Sequence, residues 1–179
     1  STRPDDSSSR YNLGNFYMER HDYARAVEEF TAASRLQPMS MAPLANRALA
    51  HAATGNNTQA EASLRQALEI EPNHAGAQMT LADLYKRQRK APEAEAALER
   101  AVALDPQTPD GYLALAQLHF EQKNYDKARA VLRRLVAARP NLSQGYYLLG
   151  RIGIENEQWD EALTNLKRAV DLDPDHDGA

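Results

Sequence analysis

Histidine is the side chain best suited to bind a metal or carry a proton near neutral pH, and the chain has five: His21, His51, His74, His119 and His176. Metal ligands must converge within a few ångströms. His51 and His119 instead fall in one column of a repeating pattern, two periods apart, and helix layers stacked at about 10 Å would hold them roughly 20 Å from each other. Each is expected as a part-buried substitute for an aromatic side chain. The run Asp173-Pro174-Asp175-His176-Asp177-Gly178 has the alternating acids and glycine that open an EF-hand calcium loop. Such a loop needs a bidentate glutamate about six residues after the glycine, and the sequence given runs only to Ala179. No metal site is expected. Without cysteine there is no thiol nucleophile or disulfide, and no Ser/His/Asp set, glycine-rich phosphate loop or acid pair stands out. The expectation is a protein without catalysis or cofactor. The chemistry that remains is that of amides: Asn15 and Asn46 each offer a donor and an acceptor, which can hold a peptide backbone whatever its side chains.

What would position such groups is a repeat. Proline recurs at Pro38, Pro72, Pro106, Pro140 and Pro174, and alanine at Ala26, Ala60, Ala94, Ala128 and Ala162, every step being 34 residues. A period of this length marks stacked structural units, so the 179 residues read as one array rather than as one or two globular domains. The units are 7–40, 41–74, 75–108, 109–142 and 143–176, after a leader at 1–6 and before a tail at 177–179. The start, through about Ser8, mixes Pro4 with aspartates and serines and shows no apolar periodicity, so it is assigned no structure.

Within the first unit, Leu13, Gly14 and Tyr17 form one helical stripe and Ala26, Phe30 and Ala33 a second. Arg20-His21-Asp22 leaves room only for a turn, so the two helices fold back on each other, and Pro38 ends the second. The other units repeat the design: a turn at Gly55-Asn56-Asn57, a capping box from Thr58 and Glu61, Pro92 in a first turn, Thr108 as cap before Pro109. Small residues at Gly14, Ala48, Ala82, Ala116 and Gly150 are expected to face the alanine column across each hairpin, where helices approach to about 8 or 9 Å. Behind the fifth unit nothing in this sequence covers Leu163, Leu166 and Val170, which suggests either further repeats or a capping helix, or pairing with another copy.

Charge and hydropathy narrow the partners. With 25 acidic against 21 basic residues and a formal charge of -4, there is no general attraction to phosphate backbones or anionic lipid, so nucleic acid is not expected. No apolar run approaches the roughly 18 residues that span a bilayer, and STRPDDSSSR has no signal-peptide core, so a soluble chain without membrane insertion is expected. The absence of cysteine suits an oxidising or a reducing compartment equally, cytoplasm or periplasm.

The column order of small residue, aromatic, Ala, large apolar, Ala and Pro resembles the tetratricopeptide repeat over nearly the whole chain. Arg47 departs from it where a leucine is usual, Leu135 where a small residue is, and Gly153 where an aromatic is, the last weakening packing in the fifth unit. The resemblance implies an all-α, right-handed solenoid of five helix-turn-helix units whose first helices line a groove for peptides or partner proteins. That groove would display Tyr11, Asn12, Asn15 and Met18 from the first unit, and Asn46, Leu49 and Ala53 from the second. The third adds Met79, Thr80, Asp83, Lys86 and Arg87, the fourth Leu113, Gln117 and Phe120, and the fifth Tyr147, Leu148, Arg151 and Glu155. Its apolar members suggest a surface meant to be covered. In tetratricopeptide domains that grip chaperone tails, asparagines occupy the places of Asn15 and Asn46 beside basic residues that seize a carboxylate. Here those basic places hold Tyr11, Gly76 and Thr80, so the implied mode is backbone holding with apolar pockets. The function so implied is a protein-binding scaffold, with self-assembly into a homo-oligomer through the last unit or the groove as the alternative.

Overall fold

In a computed structural model that describes residues 6–174, the described residues form ten α-helices and no strand. They are α1 (Ser7–Glu19), α2 (Tyr23–Leu36), α3 (Met41–Ala53), α4 (Asn57–Ile70), α5 (Ala75–Arg87), α6 (Ala91–Leu104), α7 (Pro109–Glu121), α8 (Tyr125–Ala138), α9 (Ser143–Glu155) and α10 (Trp159–Leu172). The second helix of each pair stops two residues before Pro38, Pro72, Pro106, Pro140 or Pro174, because proline excludes helical dihedrals from the residue before it. The proposed leader and the calcium-loop resemblance lie almost wholly outside the described residues, as does the tail at 177–179. Where the leader meets them, the helix begins earlier than expected: Ser7 and Ser8 are helical, Asp6 caps them by accepting from the Ser8 amide, and the Ser7 hydroxyl donates to the Ala33 carbonyl at 3.2 Å.

Within each pair the chain reverses on a single left-handed residue. His21, Gly55, Arg89, Lys123 and Glu157, again at the period of the array, have φ between 56° and 78°. Such a residue lets the next amide reach back to the carbonyl five residues earlier, satisfying a helix-end oxygen that would otherwise be orphaned. All five bonds are made: Asp22 to Tyr17, Asn56 to His51 and Lys90 to Tyr85 at 2.9 Å, Asn124 to His119 at 2.8 Å, and Gln158 to Gly153 at 2.7 Å. Asn56, not Thr58, is the N-cap of α4, so the capping box is absent. The Glu61 carboxylate instead accepts from the Tyr85 hydroxyl and Gln88 and pairs with Arg65 at 2.8 Å. Thr108 does cap α7, but its hydroxyl donates to Asp105 at 2.6 Å rather than bonding the helix.

By contact density the chain divides into two compact units, one up to Ala97 and one from Leu98, with the division inside α6. In the first, α3 packs on both α2 and α4, and α5 on α4. Ala26, Phe30 and Ala50 form a buried cluster against which Tyr11, Tyr17, Met18, Tyr23 and Val27 pack. Arg47, in its leucine position, is half-buried and donates to Ser63 at 3.0 Å and Gln66 at 2.8 Å, so polar partners on α4 replace the missing apolar contact.

In the second unit α7 packs on α8, α9 on α8, and α10 on α9. Leu115, Leu132 and Leu135 are fully buried there. Leu135 is accommodated because Gly145 opposes it and Val136: a Cβ at 145 would lie 2.7 Å from a Val136 methyl. At its two glycines the small-residue column faces chiefly the large apolar column, Gly150 also lying against the alanine column with its Cβ position 3.3 Å from the Ala162 carbonyl oxygen. A Cβ at Gly14 would meet the Phe30 ring at 2.5 Å, and one at Gly150 would meet Leu166 at 2.6 Å, so these residues make room for the large apolar column. Gly153 opposes Ala162 more closely: its absent Cβ would sit 2.9 Å from the Ala162 Cβ and 3.0 Å from its Cα. The missing aromatic therefore does not loosen the fifth pair; it lets α9 and α10 approach.

Candidate functional site

In the first unit the amides lie on α1 and α3, and stacking those helices brings them together. The Asn46 side-chain nitrogen donates to the Asn15 oxygen at 2.8 Å and to the Tyr11 hydroxyl at 3.1 Å. Tyr11 is held from behind by the Phe30 ring, 5.8 Å between centroids. This network ties all three side chains together and leaves the Asn15 NH2 group and the Asn46 carbonyl oxygen outside its two bonds. Asn12 and Leu49 are exposed beside them. Met18 belongs instead to the packing around Ala26, Phe30 and Ala50. On α5, Met79 and Lys86 are half-buried and Asp83 is exposed, while Thr80 donates to the Gly76 carbonyl and Arg87 to the Ala52 carbonyl.

In the second unit α7, α8 and α9 enclose a pocket of about 130 Å³. Leu113, Gln117, Phe120, Leu148 and Arg151, all named from the sequence, line it, and Ala116, Leu132 and Ile152 complete it. Those three carry the same helical periodicity as core residues, which hid them; Ala116 and Ile152 are signalled only by a spacing of three or four residues from Leu113 and Leu148, and Leu132, on α8, not at all. The Arg151 guanidinium lies over two rings, 5.7 Å from the Phe120 centroid and 5.8 Å from that of Tyr147. Stacking of this kind holds a planar cation in place while leaving its edge free to donate. Gln117 donates to Glu121 at 2.9 Å, and Phe120 meets Tyr125 edge-on at 5.6 Å. The result is an apolar hollow with one fixed cation at its rim.

The four described histidines do not converge. His21 bonds the Tyr23 hydroxyl at 2.9 Å, His74 caps α5 by accepting from the Ala77 amide at 3.1 Å, and His119 is buried. His51 is half-buried, and burial followed by the nearby Arg47 charge holds its pKa below the ordinary imidazole value. Among the described residues no group of three or more His, Cys, Asp or Glu could hold a metal ion, and no helix is long and apolar enough to cross a membrane.

Comparison with known proteins places this geometry. The family model described as Cilia and flagella-associated protein 70 C-terminal domain matches residues 7–179. No curated protein matches the sequence at a significant level. Among solved structures, MamA from Desulfovibrio magneticus is similar at 18% identity and a TM-score of 0.76, over 97% of this chain and 98% of its own. YrrB, described as a TPR protein with an unusual peptide-binding site, is 18% identical with a TM-score of 0.70, over 97% of this chain and 90% of its own. PilF of Pseudomonas aeruginosa is 16% identical with a TM-score of 0.72, over 92% and 75%. At such identity these likenesses establish the fold. Arrays of stacked repeats offer extended surfaces to other proteins. The chain belongs to the tetratricopeptide-repeat family, in the group of the Cilia and flagella-associated protein 70 C-terminal domain, and its class is that of a protein–protein interaction scaffold.

Proposed function

We propose that this protein, without catalysing a reaction, holds a segment of a protein partner against the first-helix faces of its repeat pairs. The observation that carries the reading is the hollow between α7, α8 and α9. Its volume is close to that of an engineered cavity of roughly 150 Å³ that admits benzene, so one leucine-sized side chain fits. Arg151, stacked on two rings and without a carboxylate partner among the described residues, favours a segment with an acidic group beside that apolar side chain. In the first unit the Asn15 NH2 group and the Asn46 carbonyl oxygen, which take no part in the bond between the pair, offer a donor and an acceptor for one peptide unit of a backbone. The formal charge of -4 favours a protein ligand over nucleic acid, and the peptide-binding site of YrrB is in keeping with the same use of the fold.

Selection from a random peptide library on the purified protein tests this. Enriched peptides are expected to pair Leu, Ile or Met with a nearby Asp or Glu. Leu113→Glu and Arg151→Glu should each weaken them by about tenfold or more, and Asn15→Ala with Asn46→Ala should weaken binding while the circular dichroism spectrum is unchanged. Failure to enrich any peptide, or equal binding by the Leu113 and Arg151 variants, overturns the proposal.

A further inference from the structure

The turn between α5 and α6 differs in charge from the turns of the other four pairs. Residues 86–90 read Lys-Arg-Gln-Arg-Lys, basic at every place but one and without an acid. The corresponding turns are mixed, neutral or of opposite sign: 18–22 holds Glu19, Arg20 and Asp22, 52–56 no charge, 120–124 Glu121 and Lys123, and 154–158 Glu155 and Glu157. Cations near the end of a helix complement its dipole, but the fold does not demand them here. The place of Arg87 is taken by Glu19, Glu121 and Glu155 in other pairs. That of Arg89 is taken by Glu157, which adopts the same left-handed backbone, φ 56° against 59°. Both columns therefore accept either sign of charge.

Most of the basic charge in this turn is uncommitted. Lys90 pairs with Glu61 at 3.4 Å and lies over the Tyr85 ring at 5.6 Å, and Glu61 is further neutralised by Arg65 at 2.8 Å. Lys86, Arg87 and Arg89 form no ion pair among the described residues, and the nearest acids along the chain, Asp83 and Glu93, pair with none of them. Arg87 makes one long bond, 3.4 Å, to the Ala52 carbonyl at the end of α3. It carries the basic patch toward Ala53, Thr54 and Gly55, which are exposed and uncharged. An arriving anion meets no competing carboxylate on that side.

We infer that this turn docks an acidic segment of a protein partner, a run of Asp and Glu whose carboxylates meet Lys86, Arg87 and Arg89. Arginine takes a carboxylate through two parallel bonds and lysine takes it as a point charge. The patch is narrow, since the turn at 52–56 is uncharged and the one at 18–22 carries acids. A flat anionic membrane or a long nucleic acid would gain this single contact and be repelled elsewhere by a chain of formal charge -4. A short acidic strand gains the whole patch at once. The turn belongs to the first compact unit and the hollow beside Arg151 to the second, so either surface can fail without the other.

Fluorescence anisotropy of a labelled hexaglutamate peptide on the purified protein is the test, because a ligand without apolar side chains leaves the hollow empty. Hexaglutamate should bind at low salt and weaken as salt rises, while hexaglutamine should not bind. Arg87→Glu with Arg89→Glu gives this turn the two acids of the fifth pair and should weaken hexaglutamate by about tenfold or more. The melting temperature should hold, because glutamate already occupies both columns. Lys123→Glu, in the column of Arg89, and Arg151→Glu should leave hexaglutamate binding unchanged. Absence of binding at low salt overturns the inference, as does binding that survives the double reversal or falls equally with Lys123→Glu. Tighter binding of phosphatidylserine-containing vesicles or of single-stranded DNA than of hexaglutamate also overturns it, assigning the turn to a membrane or a nucleic acid instead.

Discussion

His51 ties the charge of one side chain to the stability of its hairpin. Burial, then the Arg47 cation one turn away, makes the folded chain bind a proton there less readily than the unfolded chain does. A depressed folded pKa leaves the fold's stability undiminished above the ordinary imidazole range, and as pH falls through that range the unfolded state gains protons first. Stability should accordingly decline between about pH 7 and about pH 5. His51→Phe removes the titrating group and suits a column that carries Tyr17 and Tyr85, so chemical denaturation across that window should give a flatter profile for the variant. The amide pair shows the limit of a sequence reading at this scale. That Asn15 and Asn46 share a surface was legible from the repeat; that one donates to the other was not, because it depends on how closely α1 and α3 pack and on where Tyr11 points.

At the scale of helices, Gly153 and Gly76 look alike in sequence and differ in space. Both lie in first helices, where Gly→Ala ordinarily gains about 1 kcal/mol in propensity. A methyl at 153 would run into the Ala162 Cβ and backbone at 2.9–3.1 Å, which a rotamer change cannot relieve. Overpacking of this kind costs about 1–3 kcal/mol, so Gly153→Ala should lower stability by about 1–2 kcal/mol in thermal denaturation. At Gly76 the nearest atom is the edge of the His74 ring at 3.2 Å, on an exposed side chain that can shift only by loosening its cap on the Ala77 amide. Gly76→Ala should change stability by less than about 0.5 kcal/mol in the same assay, the propensity gain being offset by the loosened cap. Helix number, order and ends were legible because the apolar period and the prolines report them directly. The roles of single small residues were not: the sequence shows a column to be small but not whether it opposes alanine, phenylalanine or leucine. The hollow in the second unit was half legible for the same reason, its rim being named and its floor taken for core.

For the molecule as a whole, stability in a repeat array is the sum of each repeat and its contacts with immediate neighbours. Helices α1 and α10 expose apolar faces that their counterparts bury. In dilute solution their amides should exchange with solvent faster than those of α3 and α8, each packed on two neighbours, and hydrogen-exchange mass spectrometry resolved by helix checks this. Equal protection along the chain would mean that it opens only as one body.

The hairpin turns carry a last consequence. At position 55 the backbone already has φ of +78°, a handedness that L side chains adopt at a cost and that D-amino acids prefer. A mirror-image alanine placed there by chemical ligation would restrict the unfolded chain and leave the folded turn as it is. The same enantiomer within α3 or α4 would break the helix, so the tolerated sites would trace the array's period in stereochemistry alone.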